Sequence, residues 1–365
     1  ELATHPFVNM TSHKVLPGLV ELVESIHLCG AKIFVQVLNS EGGGHKKWDG
    51  RPGVAPSAIP WPLPSHIAPD ERLVKLVEKS FSRSKWLREM FLTPPPVPQE
   101  LTEEDIRKHI IEESARNVKL AVIAGFDGVE IHACHGDRYL IDQFRNPLFN
   151  RRKDKYGGSR ENRDRIVREL VDAVVRSVKE EREDMAVGVR IGCECGPGGY
   201  TFEDTKILAK ELEELGIDYL SVTIGYPYPV DAYGPSPAKD GVELKWSREL
   251  KKILKIPVFV ADVHDPKLAE QAVKEGWADI IGLARPVIAD PEYVNKVREN
   301  RINEIRKCVR CGYCFLGAVF GTPNRCFVNP EIGRERYNPK NWLTEGFKGN
   351  DIIPPIFRRG ARALT

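Results

Sequence analysis

The chain carries no run of apolar residues approaching the ~20 that a helix needs to cross a bilayer, so a helical membrane protein is not expected. Nor is one sign of charge in excess. Lys and Arg number 54 against 52 Asp and Glu, a net charge of +2. That balance gives neither nucleic acid nor an anionic membrane a reason to bind. No G-x-G-x-x-G fingerprint follows the early strands, which counts against a dinucleotide-binding fold. No secretory leader is visible, and the first residue is Glu1 rather than Met. A processed or truncated chain is the expectation at that end. The 8 cysteines do not make it a disulfide-stapled secreted domain, because 365 residues with 41% hydrophobic content can bury a core of their own. A reducing cytoplasm is the expected compartment.

What is present is concentrated near the C-terminal end. Cys308-Val-Arg-Cys311-Gly-Tyr-Cys314 is followed by Cys326, a C-x2-C-x2-C-x11-C spacing. Three thiolates within one short segment can grip one face of a compact metal centre, and the fourth closes it from a loop. A mononuclear zinc site more often uses two separated C-x2-C knuckles. A tight triplet with a distant fourth cysteine is commoner for iron–sulfur clusters. Iron–sulfur is the preferred reading, with zinc and unrelated thiols as alternatives. A cluster moves single electrons, which points to a redox enzyme.

Upstream, short apolar strands alternate with amphipathic helices. Strands are expected at 31–38, 128–132, 186–191, 219–223, 258–261 and 279–283. Helices are expected at 16–29, after Thr102, and at 161–180, 203–215 and 266–275. The Pro-rich stretch from Asn39 to about Gln99 reads as an insertion carrying one amphipathic helix near 71–91. Continuous apolar strands suit a parallel sheet covered on both faces. Polar residues (Gln36, His132, Arg190, Thr223, Asp262 and Arg285) stand at the C-terminal ends of strands or just beyond them. That face carries the active site in eight-stranded barrels, so a (β/α)8 TIM barrel is expected rather than an open doubly wound sheet. Only six strands are visible, so the barrel reads as lacking its first one or two. Residues 1–300 are assigned to the barrel with an insertion at about 60–100, 301–336 to the cysteine cluster, and 337–365 to a tail or linker.

His132-Ala-Cys-His135 places two imidazoles at a strand end, as donors to a carbonyl or anionic oxygen or as ordinary strand-end polar residues. The loop from Arg151 to Arg163 reads either as a site element or as a solvated charged entry to a helix. Together these residues carry a resemblance. Gly125-Phe-Asp-Gly-Val-Glu-Ile-His132, Tyr139-Leu-Ile-Asp-Gln-Phe144, Pro147, Asn150-Arg151-Arg152, Asp154 and Tyr156-Gly-Gly-Ser-Arg-Glu-Asn-Arg163 resemble the signature of the old yellow enzyme family. Ala55-Pro56-Ser57-Ala58 and Ala284-Arg285-Pro286 add to it, and the likeness runs roughly from residue 17 to 336. With the cysteines it is closest to the iron–sulfur branch that includes 2,4-dienoyl-CoA reductase, 2-enoate reductases and trimethylamine dehydrogenase.

The resemblance implies an FMN-binding barrel with a 4Fe-4S cluster and NAD(P)H as reductant. By residue match, Gln36 would bond the flavin pyrimidine edge and Arg190 its N1 and O2. Arg285 and the backbone around Ala284 would hold the FMN phosphate. His132 and His135 would bind a substrate carbonyl, Tyr139 would supply the proton, and Cys308, Cys311, Cys314 and Cys326 would ligate the cluster. The implied reaction is reduction of the C=C of an activated enone or enoyl thioester. Amine dehydrogenation, NADH oxidation and a degenerate electron-transfer barrel are the alternatives. A FAD/NAD-binding partner subunit or further domain would complete electron transfer, and a homo-oligomer is compatible. Four departures stand out: Asp137-Arg138 inserted before Tyr139, Asn39 for a common His, and Asp262 and Ala284 for usual glycines. Tyr226 and Tyr228 lie on a loop that contacts substrate in relatives. Cys134, Cys193 and Cys195 read as small buried or loop residues.

Overall fold

The structure is a computed structural model, and it describes residues 10–38, 52–60, 97–135, 139–225, 239–314 and 324–334. The expected helix near 71–91, the Asp137-Arg138 insertion, Asn39, Tyr226, Tyr228 and the tail lie outside them. The chain divides into two units, Glu1–Ala284 and Arg285–Thr365.

In the first unit six strands form one sheet, parallel throughout and ordered as in the sequence. They are β1 (Phe34–Val37), β2 (Gly128–Ala133), β3 (Ala186–Gly192), β4 (Tyr219–Thr223), β5 (Val258–Val260) and β6 (Ile280–Ile281). A doubly wound sheet reverses its strand order at a switch point. Here the order never reverses, which is the winding of a barrel. Among the described residues β1 and β6 each pair on one side only. Helices α1 (Leu16–Leu28), α2 (Glu113–Ala124), α3 (Leu140–Arg145), α4 (Arg160–Glu181), α5 (Phe202–Glu214), α6 (Leu244–Lys251) and α7 (Pro266–Lys274) complete the unit.

A local device sets the register three times. The helices before β2, β4 and β6 end at Gly125, Gly216 and Gly276, all with positive φ, at 87°, 87° and 67°. Only glycine takes that left-handed turn at little cost. An aspartate then begins the next strand region and its carboxylate accepts an amide N–H from the strand before. Asp127 accepts from Ile33 at 2.9 Å, Asp218 from Val187 at 2.7 Å and Asp279 from Val258 at 2.7 Å. Each bond fixes neighbouring strands at their lower ends, so the residues at their upper ends meet in a defined row.

Aromatic rings lie side by side on the face of the sheet that also carries His132 and Arg190. Phe34 lies 5.8 Å from Tyr219 between ring centroids, and Tyr219 stacks on Phe259 at 4.5 Å. Gly188 makes room for Tyr219: a Cβ at that position would stand 2.1 Å from the ring. Helix packing closes the outside, with Ile166, Val167, Leu170, Val171, Val174 and Val178 of α4 all fully buried.

The helix expected after Thr102 starts with a capping box between Thr102 and Asp105. Its Ile106–Glu112 portion is π-helical. The wider turn moves the inward stripe, so Val118, Ala121 and Ala124 are buried while Ala115 and Val122 are only partly so. The short helix α6 escaped the sequence reading. Its Lys- and Arg-rich outer face hides Leu244, Trp246 and Leu250, which turn inward.

Candidate active site

The upper ends of β2, β3 and β4 align one residue from each. His132 pairs in register with Arg190, and Arg190 with Ser221. Adjacent strands lie about 4.8 Å apart, so these side chains share one face as neighbours. Arg190 donates from Nη1 to Ser221 Oγ at 3.0 Å, which replaces the surface ion pair a bland reading would give it. His132 is buried. Burial, followed by the charge of Arg190, lowers its imidazole pKa to about 3. It is therefore neutral at physiological pH, with one ring donor and one ring acceptor.

Cys134 sits between the two histidines. Its Sγ lies 3.4 Å from His132 Nε2 and 3.5 Å from His135 Nδ1. Burial pushes this thiol well up, partly opposed by Arg190. His132 Nδ1 is buried with no hydrogen-bond partner among the described residues. His135 has φ 60°, a strained value for a residue with a side chain. Beyond it, Tyr139 N–H donates back to His135 O at 3.1 Å. The Tyr139 ring meets the His132 ring edge-on at 4.3 Å, and the His135 ring is 6.3 Å from Tyr139. The three side chains named from the sequence therefore converge.

A buried cation fastens α3, which begins immediately after Tyr139. The Arg145 side chain is wholly enclosed. It donates to Asp164 at 3.2 Å, Asp142 at 3.4 Å, Thr205 Oγ1 at 3.0 Å and the carbonyl of Gly192 at the end of β3, while Tyr200 covers its face. The following loop is a clamp rather than a solvated run. Asn150 Nδ2 donates to the carbonyls of Phe144 and Tyr156, both at 2.7 Å. Arg152 reaches the carbonyls of Pro56 and Leu101, tying in segments from the far side of the insertion.

Gln36, by contrast, is exposed and donates to Glu130 Oε1 at 2.6 Å, one step below the His132–Arg190 row. Asp262 takes φ 62°, the left-handed conformation that a glycine would adopt freely. Its side chain lies 3.5 Å from His264 Nε2. One residue was missed by sequence reasoning. Glu243 is buried, accepts from Thr223 Oγ1 at 3.1 Å and leaves Oε2 without a partner among the described residues. Burial raises its pKa and Arg190 opposes the rise. Cys134 was seen in the sequence but not its role between the imidazoles. Its place in His-Ala-Cys-His was the available signal.

In the second unit Arg285 opens helix α8 (Arg285–Ala289), which α9 (Tyr293–Arg298) follows. Asp290 accepts from Lys296 Nζ at 2.8 Å and from Arg306 N–H at 2.7 Å. Asn329 donates to Ile288 O at 2.9 Å and accepts from Arg306 at 3.0 Å. The chain entering Cys308 and the chain leaving Cys326 are thus fastened to the same helix. Positive φ at Arg310 (52°) and Gly312 (70°) curls the cysteine loop, and Arg310 N–H donates to Cys308 Sγ at 3.4 Å. An amide pointed at sulfur suits a metal-bound thiolate. No three of the four sulfurs lie within 4.8 Å of one another among the described residues.

The parallel sheet thus presents a neutral histidine, a strand-end arginine and a tyrosine at its upper face. The chain belongs to the NADH:flavin oxidoreductase / NADH oxidase family, whose model matches residues 4–304. It is 37% identical over 333 residues to an NADH oxidase of Thermoanaerobacter brockii, covering 90% of this chain and 46% of that protein. It is 32% identical over 335 residues to a cinnamate reductase of Clostridium sporogenes, covering 87% and 45%. Among solved structures it resembles 2-naphthoyl-CoA reductase in complex with 2-naphthoyl-CoA, with TM-score 0.71 and 29% identity over 88% of this chain and 46% of that one. The chain spans less than half the length of these relatives.

Proposed function

We propose that this chain reduces the C=C bond of an activated enone or enoyl thioester, using FMN, a 4Fe-4S cluster and electrons from NAD(P)H. The observation that carries the reading is the convergence of His132, His135 and Tyr139 beside Arg190. FMN, when bound, supplies the hydride. Gln36, Arg190, Ala284 and Arg285 would hold it, with Arg190 placing positive charge where a reduced flavin gathers negative charge. The cluster, held by Cys308, Cys311, Cys314 and Cys326, would pass single electrons. Electrons would arrive through a further domain or a partner subunit, which the greater length of the relatives supports.

The residues' own part follows from their protonation. A thiol at Cys134 can donate to His132 Nε2, which leaves the proton of the neutral ring on Nδ1. That unpartnered Nδ1–H, with His135, would donate to the substrate carbonyl oxygen and draw electron density from the conjugated C=C. Tyr139 would deliver its phenolic proton to the carbon beside the carbonyl. Burial of His132 excludes water that would compete for these bonds.

The test is anaerobic half-reactions of the purified chain. Dithionite reduces the flavin, and a cinnamoyl or crotonyl thioester or 2-cyclohexenone then reoxidises it. Tyr139→Phe slows reoxidation on the order of 100-fold and leaves reduction by dithionite unchanged. Reoxidation at the wild-type rate removes Tyr139 from the mechanism. Failure of every enone and enoyl thioester to reoxidise the flavin refutes the substrate class.

A further inference from the structure

We propose that His132 Nε2, Cys134 Sγ and His135 Nδ1 form a binding site for one soft divalent cation, with Zn2+ as the probe. Among the described residues, this is the one trio of such donor atoms lying within 4.8 Å of each other.

The spacing is that of a metal polyhedron. Zinc bonds of about 2.3 Å to sulfur and 2.0–2.1 Å to nitrogen, at a tetrahedral angle, put sulfur and nitrogen about 3.5–3.6 Å apart. The two Cys134–imidazole distances are 3.4 and 3.5 Å. On these two edges the side chains would need to shift by only a tenth or two of an ångström, and the third, His132 Nε2 to His135 Nδ1, lies within 4.8 Å and would close to about 3.3–3.4 Å on an ion. His132 is already neutral, as a ligand must be. Cys134 is protonated before binding. The ion forms one bond to sulfur and two to nitrogen, and the thiol proton leaves to solvent. Arg190 repels the ion but stabilises the thiolate it creates. Three protein ligands leave a fourth position open, as in catalytic rather than structural zinc sites.

The site rests on the donor geometry and not on the proposed carbonyl-binding role of the histidines. The experiment is zinc stoichiometry by equilibrium dialysis of the full chain, comparing wild type with Cys134→Ala. Ions held by the C-terminal cysteines cancel in the difference. The expected result is one more equivalent in wild type, with about one proton released for it. Equal stoichiometry overturns the site. If Cys134→Ala does not fold, zinc-edge absorption fine structure on the wild type decides. One sulfur and two nitrogens around a fraction of the zinc support the trio, and sulfur-only coordination overturns it. A chain that binds the extra zinc but reduces no enone refutes the substrate class and leaves the site standing.

Discussion

Arg145 offers the sharpest test of how the site is held. Its guanidinium is fully enclosed among Asp142, Asp164, Thr205 and the Gly192 carbonyl. Arg145→Met keeps much of the side-chain volume and removes the charge. Breaking a buried pair from one side costs about 3–5 kcal/mol, because the remaining carboxylate is stranded without water. Arg160 still reaches Asp164 at 3.0 Å, and Tyr200 still donates to Asp142 at 3.2 Å, so the lower end applies. For a chain of 365 residues the unfolding entropy is about 0.8 kcal/mol/K, so ~3 kcal/mol lowers Tm by about 4 °C. Scanning calorimetry measures it. Adding Asp164→Asn removes the stranded charge and recovers part of the loss. A shift under about 1 °C, or a double variant no more stable than the single, refutes the reasoning. The same change loosens α3 directly after Tyr139, so enone reduction falls further than flavin reduction by dithionite.

Three further outcomes are expected. His132 has an imidazole pKa of about 3, below its ordinary 6.5, so the unfolded chain takes the proton first as pH falls. The group changes nothing above pH 6.5, and below it stability drops by up to about 1.4 kcal/mol per pH unit until the folded pKa is reached. Urea midpoints against pH therefore fall less steeply in His132→Asn, and equal slopes would contradict a buried neutral ring. Gly188→Ala drives a Cβ into the Tyr219 ring, with contacts of 2.1–2.4 Å, and should cost about 1–3 kcal/mol or more in thermal stability; an unchanged Tm would show that the ring is free to move. Cys311→Ser abolishes iron and acid-labile sulfide, and wild-type stoichiometry in that variant would remove Cys311 from the ligand set.

The strands could be read from the sequence because each is a short, mainly apolar run, and β2, β3 and β4 are buried on both faces, whereas β1 and β6 are partly exposed. The paired glycine and aspartate signals at Gly125 and Asp127, Gly216 and Asp218, and Gly276 and Asp279 were also present, though their role in register appears only when the strands are side by side. His132, His135 and Tyr139 were named in advance from motif order. Their convergence was not, because it depends on the left-handed turn at His135. Helix α6 was missed because eight residues with a charged outer face give too short a period to detect. Glu243 was missed because no local pattern marks a carboxylate whose partners, Thr223 and Arg190, come from two different strands.

The unbroken strand order has a consequence for how the chain is built. Each strand of the sheet pairs with the one before it in the sequence, so no strand must wedge between two already joined. Contacts then accumulate outward from the first strand, and loop-closure entropy is met in modest instalments. On a ribosome the newest strand of the growing sheet shows an unpaired edge, and the next strand to emerge is the one that covers it. His132, Arg190 and Ser221 meet in that order, so the row at the heart of the site forms as soon as β4 docks, before α6, β5 and the cysteine segment have left the tunnel.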